Sequence, residues 1–161
     1  MAEIDLREGR YDSASKLIEE SLTIRKEFGD KWQIGVALGV WAWIAILQQD
    51  WDSALSRLKE SVAVRKEIGD KGGLVWCLEK LGQVTFQKEN PEKAVKIFSA
   101  AESIRAALGS VMDPFDLPEY DRNIASLRNQ LGEEKFNTAW NQGRTLTLEK
   151  AIALALEEPH E

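Results

Sequence analysis

The chain repeats itself every 40 residues, and this period constrains the fold more than any other feature. IRKEFGDKW at 24–32 returns as VRKEIGDKG at 64–72. Sliding the sequence against itself by that offset aligns three copies without a gap. Tyr11, Trp51 and Pro91 coincide, as do Ala14, Ala54 and Ala94, and Ile18, Leu58 and Phe98. Ser21, Ser61 and Ala101 follow, then Ile24, Val64 and Ile104, then Arg25, Arg65 and Arg105. Phe28, Ile68 and Leu108 each precede a glycine, at 29, 69 and 109.

Steps of three and four put Ala14, Ile18, Ser21, Ile24 and Phe28 on one helical face. The small residues let a neighbouring helix approach, and Ile18, Leu58 and Phe98 fill the space between helices. The glycine after each stripe is a helix stop, because it accepts the left-handed conformation. Asp30 and Asp70 are then placed to cap the next helix. That helix has its own stripe: Leu38, Trp41, Ala42 and Ala45 align with Leu78, Leu81, Gly82 and Thr85. It ends near Gln49-Asp50 and Glu89-Asn90. The unit is therefore a hairpin of two antiparallel helices. One hairpin cannot bury both faces, so the expected fold is all-α, a right-handed α-solenoid closed by a C-terminal helical cap. The charges of the RKE-(Phe/Ile)-GDK phrase are expected to form a solvated rim.

Composition removes several function classes. The net charge of −6 argues against phosphate-driven nucleic-acid binding, which needs clustered Lys and Arg. Cys77 is the single cysteine and His160 the single histidine, so a Cys/His zinc site cannot be assembled. No Asp-rich loop has EF-hand spacing, and no Gly-x4-Gly-Lys-Ser/Thr phosphate loop occurs. No metal or cofactor is expected. The start MAEIDLREGR is too charged for a secretory signal. The apolar run IGVALGVWAWIAIL, 34–47, is short of the about 20 residues that span a bilayer. A cytoplasmic location without membrane attachment is the expectation.

Catalysis is not expected either. The adjacent pairs Glu19-Glu20, Glu133-Glu134 and Glu157-Glu158 diverge on a helix. No nucleophile has a base beside it, and Cys77 lies mid-helix among apolar neighbours, where a thiol is inert. The helices expected at 133–142 and 147–157 do not read as a helix-turn-helix, because TLEKAIALALEE carries one Lys against three Glu.

The stripe Leu78-x2-Leu81-Gly82-x2-Thr85, followed by Ala94, Phe98 and Ala101, resembles the tetratricopeptide repeat. The copy from Leu38 departs from it, with Ala42 for the glycine and Ala45 for the aromatic. The 40-residue period is longer than the family's usual one of about 34. This long variant is similar to repeats in bacterial LuxR-type regulators and related signal-transduction ATPases. Residues 100–158 resemble the segment that closes those arrays, through Ala100-Ala101-Glu102, Leu131-Gly132-Glu133, Phe136, Ala139-Trp140, Gly143-Arg144 and Ala151–Leu156. Physically, MDPFDLPEYD breaks the rhythm with two prolines. Asp116 and Glu119 form a capping box for a helix to about Leu131, stopped by Gly132. The expected organisation is repeats at 1–110, a capping segment of the same domain at 111–158 and a tail at 159–161. Only MAEIDLREGR precedes Tyr11, so the first repeat is expected to lack its first helix. That suggests a fragment of a larger regulator or a short product with an open apolar face.

The resemblance implies a function class: docking of a protein or peptide partner. In the family, the first helix of each pair lines a concave groove. Carried over by alignment, the groove holds Val36, Gly39, Trp43, Ile46 and Leu47, then Trp76, Glu79, Gln83, Phe86 and Gln87. Trp43, Ile46, Trp76 and Phe86 supply apolar recognition there, with Glu79 and Gln83 adding polar selectivity. The plainer reading is that the capping segment or a second copy covers Trp43 and Trp76. Of the six tryptophans, Trp41, Trp51 and Trp140 read as core, and Trp32 at a helix start as either. Two alternatives stay open. One is a small-molecule sensor with its ligand between groove and cap. The other is a homodimer closing the face around Leu17, Ile18, Leu22 and Ile24.

Overall fold

A computed structural model describes residues 11–157. The expected missing first helix, the tail at 159–161 and His160 lie outside the described residues. The described elements are α1 (Tyr11–Phe28), α2 (Lys31–Leu47), α3 (Trp51–Ile68), α4 (Lys71–Gln87), α5 (Pro91–Ala107), α6 (Leu117–Leu131), α7 (Glu133–Gly143) and α8 (Leu148–Leu156). The five long helices follow the sequence period.

Each boundary has a local cause. Gly29, Gly69 and Gly109 end their helices with φ of 68°, 68° and 66°, a region that only glycine enters without strain. Helices α2 and α3 begin where Asp30 accepts from the Gln33 N–H and Asp50 from the Ser53 N–H, both at 3.1 Å. Asp70 repeats the bond on the Gly73 N–H at 2.9 Å, and Asn90 on the Lys93 N–H at 3.3 Å. The cap therefore recurs at every hairpin joint. Gln49 and Glu89, at equivalent positions, take the left-handed conformation without being glycine, with φ of 59° and 61°.

Contacts divide the chain into two compact units, Met1–Cys77 and Leu78–Glu161, with the boundary inside α4. In the first, Ala14 and Ile18 of α1 pack with Ile44 of α2, and Trp41, Trp43 and Leu47 close over them. Leu22, Ala37 and Leu38 form a second cluster with Ile34 and Val64. Trp41 takes part in both clusters, and the Arg57 guanidinium lies 3.7 Å above its ring. The hydroxyl of Ser61 donates to the Gly35 carbonyl at 2.8 Å, which ties α3 to α2 where the small residue lets them meet.

In the second unit, Ala94, Val95 and Phe98 of α5 pack with Leu127 of α6 and with Phe136 and Ala139 of α7. Gly82 lies on the Phe98 ring, where a Cβ would come within 3.1 Å of it. The end of α7 presses on the α5 backbone so closely that a Cβ on Gly143 would meet the Lys96 carbonyl oxygen at 2.3 Å. Trp140 stacks on Phe136, with centroids 5.4 Å apart, and its carbonyl accepts from the Ser99 hydroxyl at 2.6 Å. Thr147 caps α8 through the Lys150 N–H. Lys93 Nζ donates to the Glu157 carbonyl at 2.8 Å where α8 ends. Burial holds the Lys93 ammonium below its ordinary value, partly offset by the Glu157 carboxylate.

One local expectation is corrected. Asp116 does sit at the start of α6, but its side chain makes no capping bond. Its carboxylate and that of Glu119 are drawn away to α4, where they meet Lys80 and Gln83.

Candidate interaction surface

The repeated arginine is not part of a solvated rim, which corrects the reading of the RKE phrase. Arg25 donates to Ser21 Oγ at 2.7 Å and pairs with Gln33. Arg65, 7% exposed, donates to Ser61 Oγ at 3.1 Å and pairs with Asp70. The planar guanidinium has donors enough to serve its own helix and the next joint together. In the third copy, where Ala101 replaces the serine, Arg105 turns to Glu79 and to the Val111 carbonyl. The neighbouring Lys26, Glu27, Lys66 and Glu67 are exposed and do form the rim.

Of the expected groove residues in the first unit, Trp43 and Trp76 are half-covered, whereas Gly39 and Ile46 are enclosed, which corrects the expected recognition role of Ile46. Trp43 packs beside Ala14, Ile18 and Ile44 and stays half-buried. Ile46 is fully buried. Trp76 is half-buried, and its ring lies over Gly39, where a Cβ would come within 3.1 Å of Cζ3. On the face considered for self-association, Ile18 and Leu22 are buried in the α1–α2 clusters and Leu17 is half-buried. Ile24 alone of the four is exposed, at 54%. Phe28 at 83% and Trp32 at 54% extend the exposed apolar surface around the α1–α2 turn. Trp51 is half-buried.

Groove residues in the second unit are engaged by the chain itself. Glu79 is buried and takes two parallel bonds from Arg105, each 2.8 Å. Burial pushes its carboxyl above the usual range, and the Arg105 guanidinium pulls it part of the way back. Gln83 donates to Glu119 at 2.7 Å. Lys80, the next residue after Glu79, donates to Asp116 at 2.8 Å and lies 3.9 Å from Glu119. Phe86 packs against the α5–α7 cluster. The Tyr120 ring meets Phe98 edge-on at 5.6 Å, and its hydroxyl donates to Glu102 at 2.8 Å. Burial and that carboxylate push the phenol upward. Glu79, Lys80, Gln83, Phe98, Asp116, Glu119 and Tyr120 line a small cleft open to solvent, together with Met112 and Asn123.

Sequence reasoning missed Lys80. Its signal was present as two carboxylates one turn apart, Asp116 and Glu119, but local spacing assigned both to a helix cap. Among the described residues no group of three or more His, Cys, Asp or Glu could hold a metal ion. Among them, too, no helix is long and apolar enough to cross a membrane.

A family model for the tetratricopeptide repeat matches residues 1–67 and again residues 33–107. Together the matches cover well over half of the chain, which belongs to the tetratricopeptide repeat family. Its all-helical hairpins are of the α-solenoid class. No curated protein matches the chain, and no solved structure does. Repeats of this family generally mediate protein–protein interaction, and proteins built from them are typically scaffolds without catalytic activity.

Proposed function

We propose that the chain is a docking module of a bacterial regulatory protein, holding a protein partner on the first helices of its hairpins. The observation that supports this most is the pair of half-buried tryptophans, Trp43 on α2 and Trp76 on α4, at groove positions of a tetratricopeptide array. A tryptophan presents a large rigid apolar face at little entropic cost, and such residues dominate binding energies. Recognition is by shape and apolar contact. The resemblance of residues 100–158 to the closing segment of LuxR-type and signal-transduction ATPase regulators supports the regulatory setting. The test is partner capture from source-cell extract by the immobilised chain and by Trp43→Ala/Trp76→Ala. The double variant loses capture while its far-UV dichroism stays helical. Capture that survives both substitutions overturns the groove assignment.

The exposed Ile24, Phe28 and Trp32 favour a second reading, self-association at the α1–α2 turn. Light scattering then gives a dimer mass that Phe28→Ser lowers to the monomer's. A monomer mass at every concentration removes this reading.

A further inference from the structure

Helix α6 is held on the second unit in an uneven way. It buries a single residue completely, Leu127. Tyr120, Ile124 and Leu131 pack half-buried on the same cluster, and a polar seam holds its first turn, where Asp116 and Glu119 meet Lys80 and Gln83. Tyr120 follows directly and seats its ring against Phe98. Lys80 is deeply covered, its side chain 6% exposed, so its charge is balanced by these carboxylates and not by water. With one residue fully buried against seven on α5, α6 opens locally at lower free energy than the helix it leans on.

We propose that this face of α4 is a docking surface for an acidic helix, and that α6 is its resident occupant. The partner it fits is a helix from another protein that opens on Asp-x-x-Glu-Tyr. One turn brings the two carboxylates onto one face, as Lys80 and Gln83 require, and the aromatic falls on Phe98. Such a helix binds by displacing α6, so its apparent affinity is set by the fraction of chains in which α6 is released. The proposal rests on the protein-docking reading and supplies a partner chemistry for it. It uses none of the tryptophans, so the two can fail separately.

The probe is a fluorescent peptide copying residues 114–131, PFDLPEYDRNIASLRNQL, titrated against the full chain. Asp116→Asn/Glu119→Gln keeps the shape of the resident helix and removes its charge. That variant binds the peptide at least about tenfold more tightly than the unaltered chain, because α6 is released more often. Adding Lys80→Met abolishes binding, and so does placing the same Asn and Gln in the peptide. Equal affinity of acidic and neutral peptides, or no binding by the released variant, overturns the proposal. Hydrogen exchange on the unaltered chain gives a check that needs no variant. Saturating peptide speeds exchange of the resident α6 amides and leaves α5 protected, whereas unchanged α6 exchange contradicts displacement.

Discussion

Arg105 and Glu79 show what one residue pair does in this fold. A buried carboxylate is costly unless a cation meets it with good geometry, and the guanidinium supplies two parallel bonds of 2.8 Å. Arg105→Met leaves Glu79 enclosed and unpaired, at a cost of about 3–5 kcal/mol at neutral pH. The sign of the pH dependence follows. Glu79 already holds its proton more tightly folded than at its ordinary value of 4.5, and losing Arg105 tightens it further. A group raised in this way favours the fold when protonated and opposes it once pH exceeds its folded value. The deficit of Arg105→Met in chemical denaturation therefore shrinks as pH falls from neutral towards the ordinary glutamate value. A deficit constant across that range means that Glu79 is not the group left unpaired.

At the scale of elements, Gly143 makes the sharpest demand. A methyl group there meets the Lys96 carbonyl oxygen, a backbone atom that cannot rotate away. Gly143→Ala is expected to push α7 off α5 and to cost about 1–3 kcal/mol, read as a lower melting temperature with unchanged helicity. A melt like that of the parent chain contradicts the close approach. Helix boundaries were legible in the sequence because their causes are local: a glycine at 29, 69 or 109, and a side chain accepting from an N–H three residues on. The helix stripes were legible for the same reason. The clasp of Asp116 and Glu119 on Lys80 and Gln83 was not, because it joins residues 36 apart that no local spacing connects. The same carboxylates satisfy a capping-box pattern, and the burial of Lys80 decides which use prevails. Arg25 and Arg65 were misjudged because a charge run is normally solvated. Only packing reveals that Ser21 and Ser61, one turn behind, receive a bond from each.

At the scale of the whole molecule, duplication of a helical hairpin builds surface. Each copy brings another first helix, and the copies differ in what they leave uncovered. Trp43 and Trp76 are apolar and half-open, whereas Glu79 and Gln83 are already engaged. The most direct measurement of the central claim is site-specific photo-crosslinking in the source cells, with a photoreactive phenylalanine placed at position 43 and, separately, at 76. The account predicts covalent adducts to a different protein from both positions, with none from a control at the exposed Glu67. Adducts confined to the chain's own copies, or equal yields from all three positions, would contradict a partner-binding surface there.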